Sequence, residues 1–159
     1  MNVHIEIIEL QIYDVFTIPH SEHIVKGGKK ANPLIFEACA GIDDKYFCYC
    51  WRTSNNILYV GSVTADYTSS QHKNNLLGRL GNYLQNHSGT TNKMVFDNIN
   101  ATLSKATVSL GLFRFKCIAL DNDRWNYTDC SKKPEVMQML EEILICRYRL
   151  LGQAQWNRT

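Results

Sequence analysis

At 159 residues, 45% apolar and 20% charged, the chain has the size and composition of a single soluble domain able to bury a real core. No run approaches the roughly 18 apolar residues that span a membrane, and Met1 to Glu6 lack the basic start and apolar stretch of a secretion signal, so the expected setting is cytoplasmic. The formal charge of +2 is small but unevenly spread: residues 67–120 carry six Lys or Arg (Lys73, Arg79, Lys93, Lys105, Arg114, Lys116) against Asp97 alone, a basic middle third that suits a polyanion.

Ile5 to Thr17, rich in Ile, Val, Phe and Tyr, reads as a strand ended by Pro19. Lys26 to Lys30 is a basic glycine-containing loop, and Pro33 to Cys39 is a short apolar segment of open type. Lys45 to Arg52 is a strong strand, Thr53 to Asn56 a turn and Ile57 to Val63 the returning strand, which together make a hairpin. After a polar loop from Asp66 to Lys73, Asn74 to Asn86 reads as a helix with Leu76, Leu77, Leu80 and Leu84 as its apolar stripe. Ser88-Gly89-Thr90 breaks it, and Thr91 or Asn92 caps a second helix to about Ser104. Thr107 to Leu120 alternates as a third strand, and Asp121 to Lys133 is a polar loop. Pro134 opens a helix to about Leu151, whose stripe is Met137, Leu140, Leu144, Tyr148 and Leu151.

The expected architecture is therefore α+β: a small three-stranded antiparallel sheet flanked by helices over residues 45–159, with residues 1–44 as a strand-and-loop extension packed on the same domain. Six cysteines occur, and Cys48, Cys50, Cys117 and Cys146 lie in apolar runs, where a free thiol packs as a small hydrophobe. Without a secretion signal the reduced state is expected. Cys48-x-Cys50 has no second pair at zinc-ligand spacing.

Chemistry concentrates in three stretches. Opposed residues of a hairpin share a face, so a two-residue Ser54-Asn55 loop would set Tyr49 against Val60, whereas a three-residue Thr53–Asn55 loop sets Tyr49 against Tyr59. Both phenols serve one site only if the loop is odd. Arg79 and Tyr83 are spaced i, i+4 and project together from the flank of the leucine stripe. Gly78 and Gly81 bracket Arg79; each costs roughly 1 kcal/mol relative to Ala inside a helix, which points to close approach of another backbone. Glu141 flanks the core stripe of the last helix, where a carboxylate must be paired, hydrated or bound to a cation such as Mg²⁺.

In that order, these stretches resemble the GIY-YIG nuclease family. Phe47-Cys48-Tyr49 resembles the GIY element and Tyr59-Val60-Gly61 the YIG element. Arg79 in LLGRLGNYL is similar to the helical arginine of the family. Glu141 in EEILICRYR is similar to its helical glutamate, and Trp156-Asn157 to its W-N ending. The resemblance implies a metal-dependent DNA endonuclease, restriction-like or phage-like, acting on duplex DNA as a homodimer or homotetramer. It implies Tyr49 as general base, Tyr59 as the group that positions water or phosphate, Arg79 as stabiliser of the phosphorane, and Tyr83 as a further catalytic-site residue at a helix position that is often polar in the family. Glu141 would be the ligand of Mg²⁺ (or Mn²⁺), and Lys73, Lys93 and Asn157 would contact DNA.

Two other readings compete. A catalytically inactive DNA-binding module of the same fold would bind without cutting. A small α+β interaction protein would bury Tyr49, Tyr59 and Tyr83 as core and would not gather their hydroxyls, Arg79 and Glu141 in one place.

Overall fold

The computed structural model describes residues 4–70, 72–86, 89–121, 124–127 and 133–157, and the side chains among them except those of 4–8, 85–86, 116–121 and 124–127. The Lys116 and Cys117 side chains, Cys130 and most of the expected loop between Asp121 and Lys133 fall outside what is described.

The fold is α+β, with one antiparallel sheet of five strands rather than three. Strand β1 (His4–Ile18) is not an appendage. It pairs with β4 (Val108–Asp121) from His4↔Leu120 to Ile18↔Val108, with register shifts near Ile7/Glu9 and Asp14/Phe16. The other side of β4 takes β2 (Phe47–Arg52) through Tyr49↔Leu112. Further along it takes the short β5 (Arg124–Tyr127), a strand inside the stretch read as loop. Strand β3 (Ile57–Val63) completes the order β1-β4-β2-β3, and among the described residues no other strand pairs with its outer edge.

Alternation along the strands sorts the core into two layers. Phe47, Tyr49 and Trp51 of β2, with Tyr59 and Val63 of β3 and Leu110 and Leu112 of β4, face one side. Helix α1 (Pro33–Cys39) covers them with Phe36 and Cys39, helix α2 (Asn75–Gly81) with Leu76, Leu77 and Leu80, and helix α3 (Thr90–Leu103) with Val95, Ile99 and Leu103. The open segment at Pro33 is thus helical, with proline in the first turn where its missing N–H costs nothing. Cys48, Cys50, Val60 and Phe113 face the other way, against Met137, Leu140 and Leu144 of helix α4 (Pro134–Leu150). Leu151, expected in that stripe, is 64% exposed, because α4 ends at Leu150 and the chain turns away through Gly152 at φ 73°.

Helix α2 is shorter than its apolar pattern suggests. After Gly81 the backbone widens into one π-type turn, Asn82–Asn86, which keeps Tyr83 and Leu84 in the core. Helix α3 starts at Thr90 behind Gly89, so neither Thr91 nor Asn92 is its cap.

The hairpin departs from expectation in register and agrees in facing. Four residues, Thr53–Asn56, connect β2 to β3, closed by the Thr53 N–H donating to the Asn56 carbonyl at 2.9 Å. The pairs Trp51↔Tyr59 and Arg52↔Ile57 leave Leu58 as one extra residue on β3. That bulge restores the parity an even loop would have broken, so Tyr49 and Tyr59 share a face. Tyr49 lies opposite Gly61, however, and Trp51 opposite Tyr59.

Candidate active site

Tyr49 is positioned by what Gly61 lacks. The phenol ring lies flat across the β3 backbone at Gly61, and a Cβ there would come within 2.5 Å of both Cζ and Oη of Tyr49. The rings of Tyr49 and Tyr59 sit 6.3 Å apart on the same face. Burial holds the Tyr59 hydroxyl firmly protonated, and the neighbouring Tyr49 phenol adds to the effect while the Arg79 charge opposes it.

Helix α2 brings the cation. Asn74 caps it by accepting from the Leu77 N–H at 2.9 Å and ties it to α1 by donating to the Cys39 carbonyl at 3.0 Å. From this anchored start Arg79 and Tyr83 reach the sheet together. Arg79 Nε donates to the Tyr49 hydroxyl at 3.1 Å and Nη2 to the Tyr83 hydroxyl at 3.4 Å, while the guanidinium lies 5.2 Å from the Tyr83 ring centroid. The Tyr49 and Tyr83 hydroxyls also bond to each other. The Tyr49 phenol beside it raises the proton affinity of Arg79 against the pull of burial, and burial drives the Tyr83 pKa well up.

Gly78 has the role its position suggested, close approach of another backbone, whereas Gly81 makes room for a side chain. A Cβ at Gly78 would strike the Tyr67 carbonyl at 2.7 Å, and one at Gly81 would meet the His72 ring at 2.7 Å. Tyr67 and His72 therefore both lie directly against α2. Buried Asn75 fixes Tyr67 by accepting from its N–H at 2.8 Å and donates to the Lys45 carbonyl.

Arg79 is half-buried and has no carboxylate partner among the described residues. The ion pairs among the described residues join Arg52 to Asp14, Lys93 to Asp97 and Arg114 to Asp44. A guanidinium whose hydrogen-bond partners are phenol hydroxyls rather than a carboxylate suits an anion site better than a structural salt bridge.

Glu141 approaches from the other layer. Helices α2 and α4 cover opposite faces of the sheet, yet both Arg79 and Glu141 reach the β3 edge. Glu141 accepts from the hydroxyl of Ser62, the residue after Gly61. Burial raises its pKa most, the Ser62 hydrogen bond and the Arg79 charge lower it, and Glu142 raises it. Among the described residues it forms no ion pair with Arg147 or any other cation. No cluster of three or more His, Cys, Asp or Glu side chains suited to a metal occurs among them either. A half-buried carboxylate without a cation partner nevertheless fits a hard divalent ion such as Mg²⁺, which takes one or two carboxylates and fills its other positions with water and phosphate.

The three residues expected to contact DNA part company. Asn157 spends its side-chain amide on β3, accepting from the Val60 N–H at 2.8 Å and donating to the Val60 carbonyl at 2.7 Å. It is the last contact of a tail that runs along the β3 edge, with Ala154 N–H on the Ile57 carbonyl at 2.7 Å and Trp156 N–H on the Leu58 carbonyl at 3.0 Å. Among the described residues this cover reaches Val60, one residue short of Gly61. Lys93 is exposed on α3 and paired with Asp97 at 2.8 Å. Lys73 is exposed beside His72, at the mouth of a separate cleft. Ser62, which sequence reasoning passes over, carries no signal of its own; its place one residue after the YIG-like glycine is the only hint.

No protein-family model, curated protein or solved structure matches this chain, so the site is read from its geometry.

Proposed function

We propose that the chain is a metal-dependent DNA endonuclease of the GIY-YIG type that hydrolyses phosphodiester bonds. The observation that carries this reading is Arg79: a half-buried guanidinium, hydrogen-bonded to Tyr49 and Tyr83 and without an ion-paired carboxylate among the described residues, at the sheet edge that Glu141 reaches from behind. In a phosphoryl reaction Arg79 would offset the negative charge that grows on the phosphorane oxygens. Glu141 would hold Mg²⁺ or Mn²⁺, which supplies Lewis-acid stabilisation of the leaving oxygen when bound. Tyr49, acting as the phenolate, would take a proton from the attacking water, with the Tyr83 hydroxyl holding its oxygen and Tyr59 positioning water or phosphate. Duplex DNA as substrate, a restriction-like or phage-like role, a homodimer or homotetramer and a cytoplasmic setting accompany this reading. Among the described residues no helix is long and apolar enough to cross a membrane.

One observation favours a second reading, a DNA-binding module of the same fold that does not cut: Tyr49 is only 1% exposed, so its hydroxyl meets water only after the cluster opens. Incubation of the purified protein with supercoiled plasmid separates the two. The nuclease reading expects nicking in Mg²⁺, none in EDTA and none from Glu141→Ala. Retarded but intact plasmid in Mg²⁺ and Mn²⁺ selects the binding module, and nicking that survives Glu141→Ala overturns the assigned site.

A further inference from the structure

A second basic feature lies away from the tyrosine cluster. Between the loop at residues 27–30, helix α1 and the start of α2 opens a cleft of about 900 Å³, the size range of ligand-binding pockets. Lys29, Lys30, Lys73 and His72 line it, with Glu37 as the one carboxylate and Leu77 in its wall. These residues come from two segments more than thirty positions apart in the chain. None of the three lysines has an ion-pair partner among the described residues, whereas Arg52, Lys93 and Arg114 are each paired with an aspartate. Three lysines gathered against one carboxylate are held there at a cost unless an anion joins them.

The loop that presents Lys29 and Lys30 is built rather than slack. Gly27 and Gly28 take φ 138° and 64°, a turn that a side chain would strain. Buried Asn32 closes it, accepting from the Val25 N–H at 3.0 Å and donating to the Val25 carbonyl at 2.5 Å and the Gly28 carbonyl at 3.4 Å. Asn100 of α3 holds the preceding residue in the same manner, with Ile24 N–H on its Oδ1 at 3.0 Å and its Nδ2 on the Ile24 carbonyl at 3.1 Å. The Gly27 N–H donates to the Leu84 carbonyl at 2.9 Å, which fastens the loop to the segment that carries Tyr83. His72 is seated on Gly81 of the same segment.

Position excludes a role at the bond that is cut. Leu77 faces the cleft, and Arg79, two residues on, projects from the far flank of a helix with 3.6 residues per turn. With side chains that helix is about 10–12 Å across, so one phosphate cannot touch both groups. A duplex carries one negative charge per about 1.7 Å of axis and can supply both at once.

We propose that this cleft is a second phosphate-binding site, in which Lys29, Lys30 and Lys73 grip the sugar–phosphate backbone of duplex DNA away from the scissile bond. The identity of the polyanion rests on the nuclease reading; the presence of an anion site does not. The residues 1–44 extension would then contribute substrate affinity as well as a strand.

The test uses a fluorescein-labelled 20-bp duplex, its binding followed by anisotropy in EDTA from 50 to 200 mM salt. Cleavage in Mg²⁺ is measured in parallel, on the parent protein, a Lys29→Gln/Lys30→Gln/Lys73→Gln triple variant and Lys105→Gln. The expected result is an affinity at least ~10-fold lower for the triple variant and a salt slope smaller by roughly 0.9 for each phosphate no longer neutralised, with KM raised, kcat kept and Lys105→Gln like the parent. Unchanged affinity and slope in a triple variant of a protein that cuts DNA would overturn the cleft alone. So would an equal drop in affinity from Lys105→Gln, or a fall in kcat with KM unchanged. Salt-sensitive binding that is abolished in the triple variant, in a protein that never cuts, upholds the cleft and overturns the nuclease reading. A parent protein with no affinity for the duplex overturns both.

Discussion

Tyr49 and Gly61 face each other across the β2–β3 hairpin, and the phenol of one fills the space where the other would carry a side chain. The strand thereby sets the height at which the Tyr49 hydroxyl meets Arg79 and Tyr83. Gly61→Ala forces the ring upward and breaks its hydrogen bond with Arg79. Overpacking of this kind costs about 1–3 kcal/mol, so the variant is expected to unfold at lower urea concentration and to lose cleavage even where it remains folded. Urea titration together with a single-turnover cleavage assay checks both parts.

Arg79→Lys keeps the charge and loses the fork that now engages two phenols. The expected outcome is a single-turnover rate at saturating DNA lower by ~10²-fold or more, with the fold kept by circular dichroism. A rate within a few-fold of the parent would remove Arg79 from the chemistry.

Glu141 must be ionised to hold a cation, and burial raises its pKa above that of a solvated glutamate while the Ser62 hydroxyl pulls it back. Cleavage should therefore fall as pH drops through a range above the ordinary glutamate value. Ser62→Ala removes a hydrogen bond to the charged form, so Glu141 takes up its proton at still higher pH and the acid limb of the pH–rate profile moves upward. The plateau at higher pH should stay. A limb that does not move would separate Ser62 from the titration.

Asn157→Ala strips both backbone groups of Val60 of their partner at the edge of the sheet. A destabilisation of about 1–3 kcal/mol is expected from leaving such groups unsatisfied. The salt slope of DNA binding should be the parent's, which distinguishes a clamp on β3 from a contact with phosphate.

Cys39, Cys48 and Cys50 are buried and their thiols are pushed up to about 12, chiefly by burial, whereas Cys146 is exposed on α4. Brief treatment of the folded protein with iodoacetamide at pH 8 is expected to alkylate Cys146 and spare the other three, as read by peptide mass spectrometry. A thiol titrating near 12 holds almost no thiolate at that pH.

Much of this architecture is legible in the residues, and the illegible parts share a physical cause. Strand β3 and helix α4 follow from their own periodicity, which is a local property, and so does the shared projection of Arg79 and Tyr83. That β1 joins the sheet depends on pairing with residues a hundred positions away, which no local pattern records. The hairpin register turns on one bulged residue, Leu58, whose type does not announce it. Glu141 can be singled out because a carboxylate beside an apolar stripe needs a reason. Ser62 cannot, since a serine in a strand needs none. Asparagine is the residue whose role is hardest to see: Asn32, Asn75, Asn100 and Asn157 each engage distant backbone on both donor and acceptor sides. In sequence such residues look like ordinary turn formers.

The tail along β3 has a consequence for shortened forms of the chain. A protein ending at Gly152 would retain Tyr49, Tyr59, Arg79, Tyr83 and Glu141, yet the amides and carbonyls from Ile57 to Val60 would stand bare. A naked strand border of that kind recruits further strands. Such a truncation would succumb to self-templated clumping before any missing chemistry could be noticed.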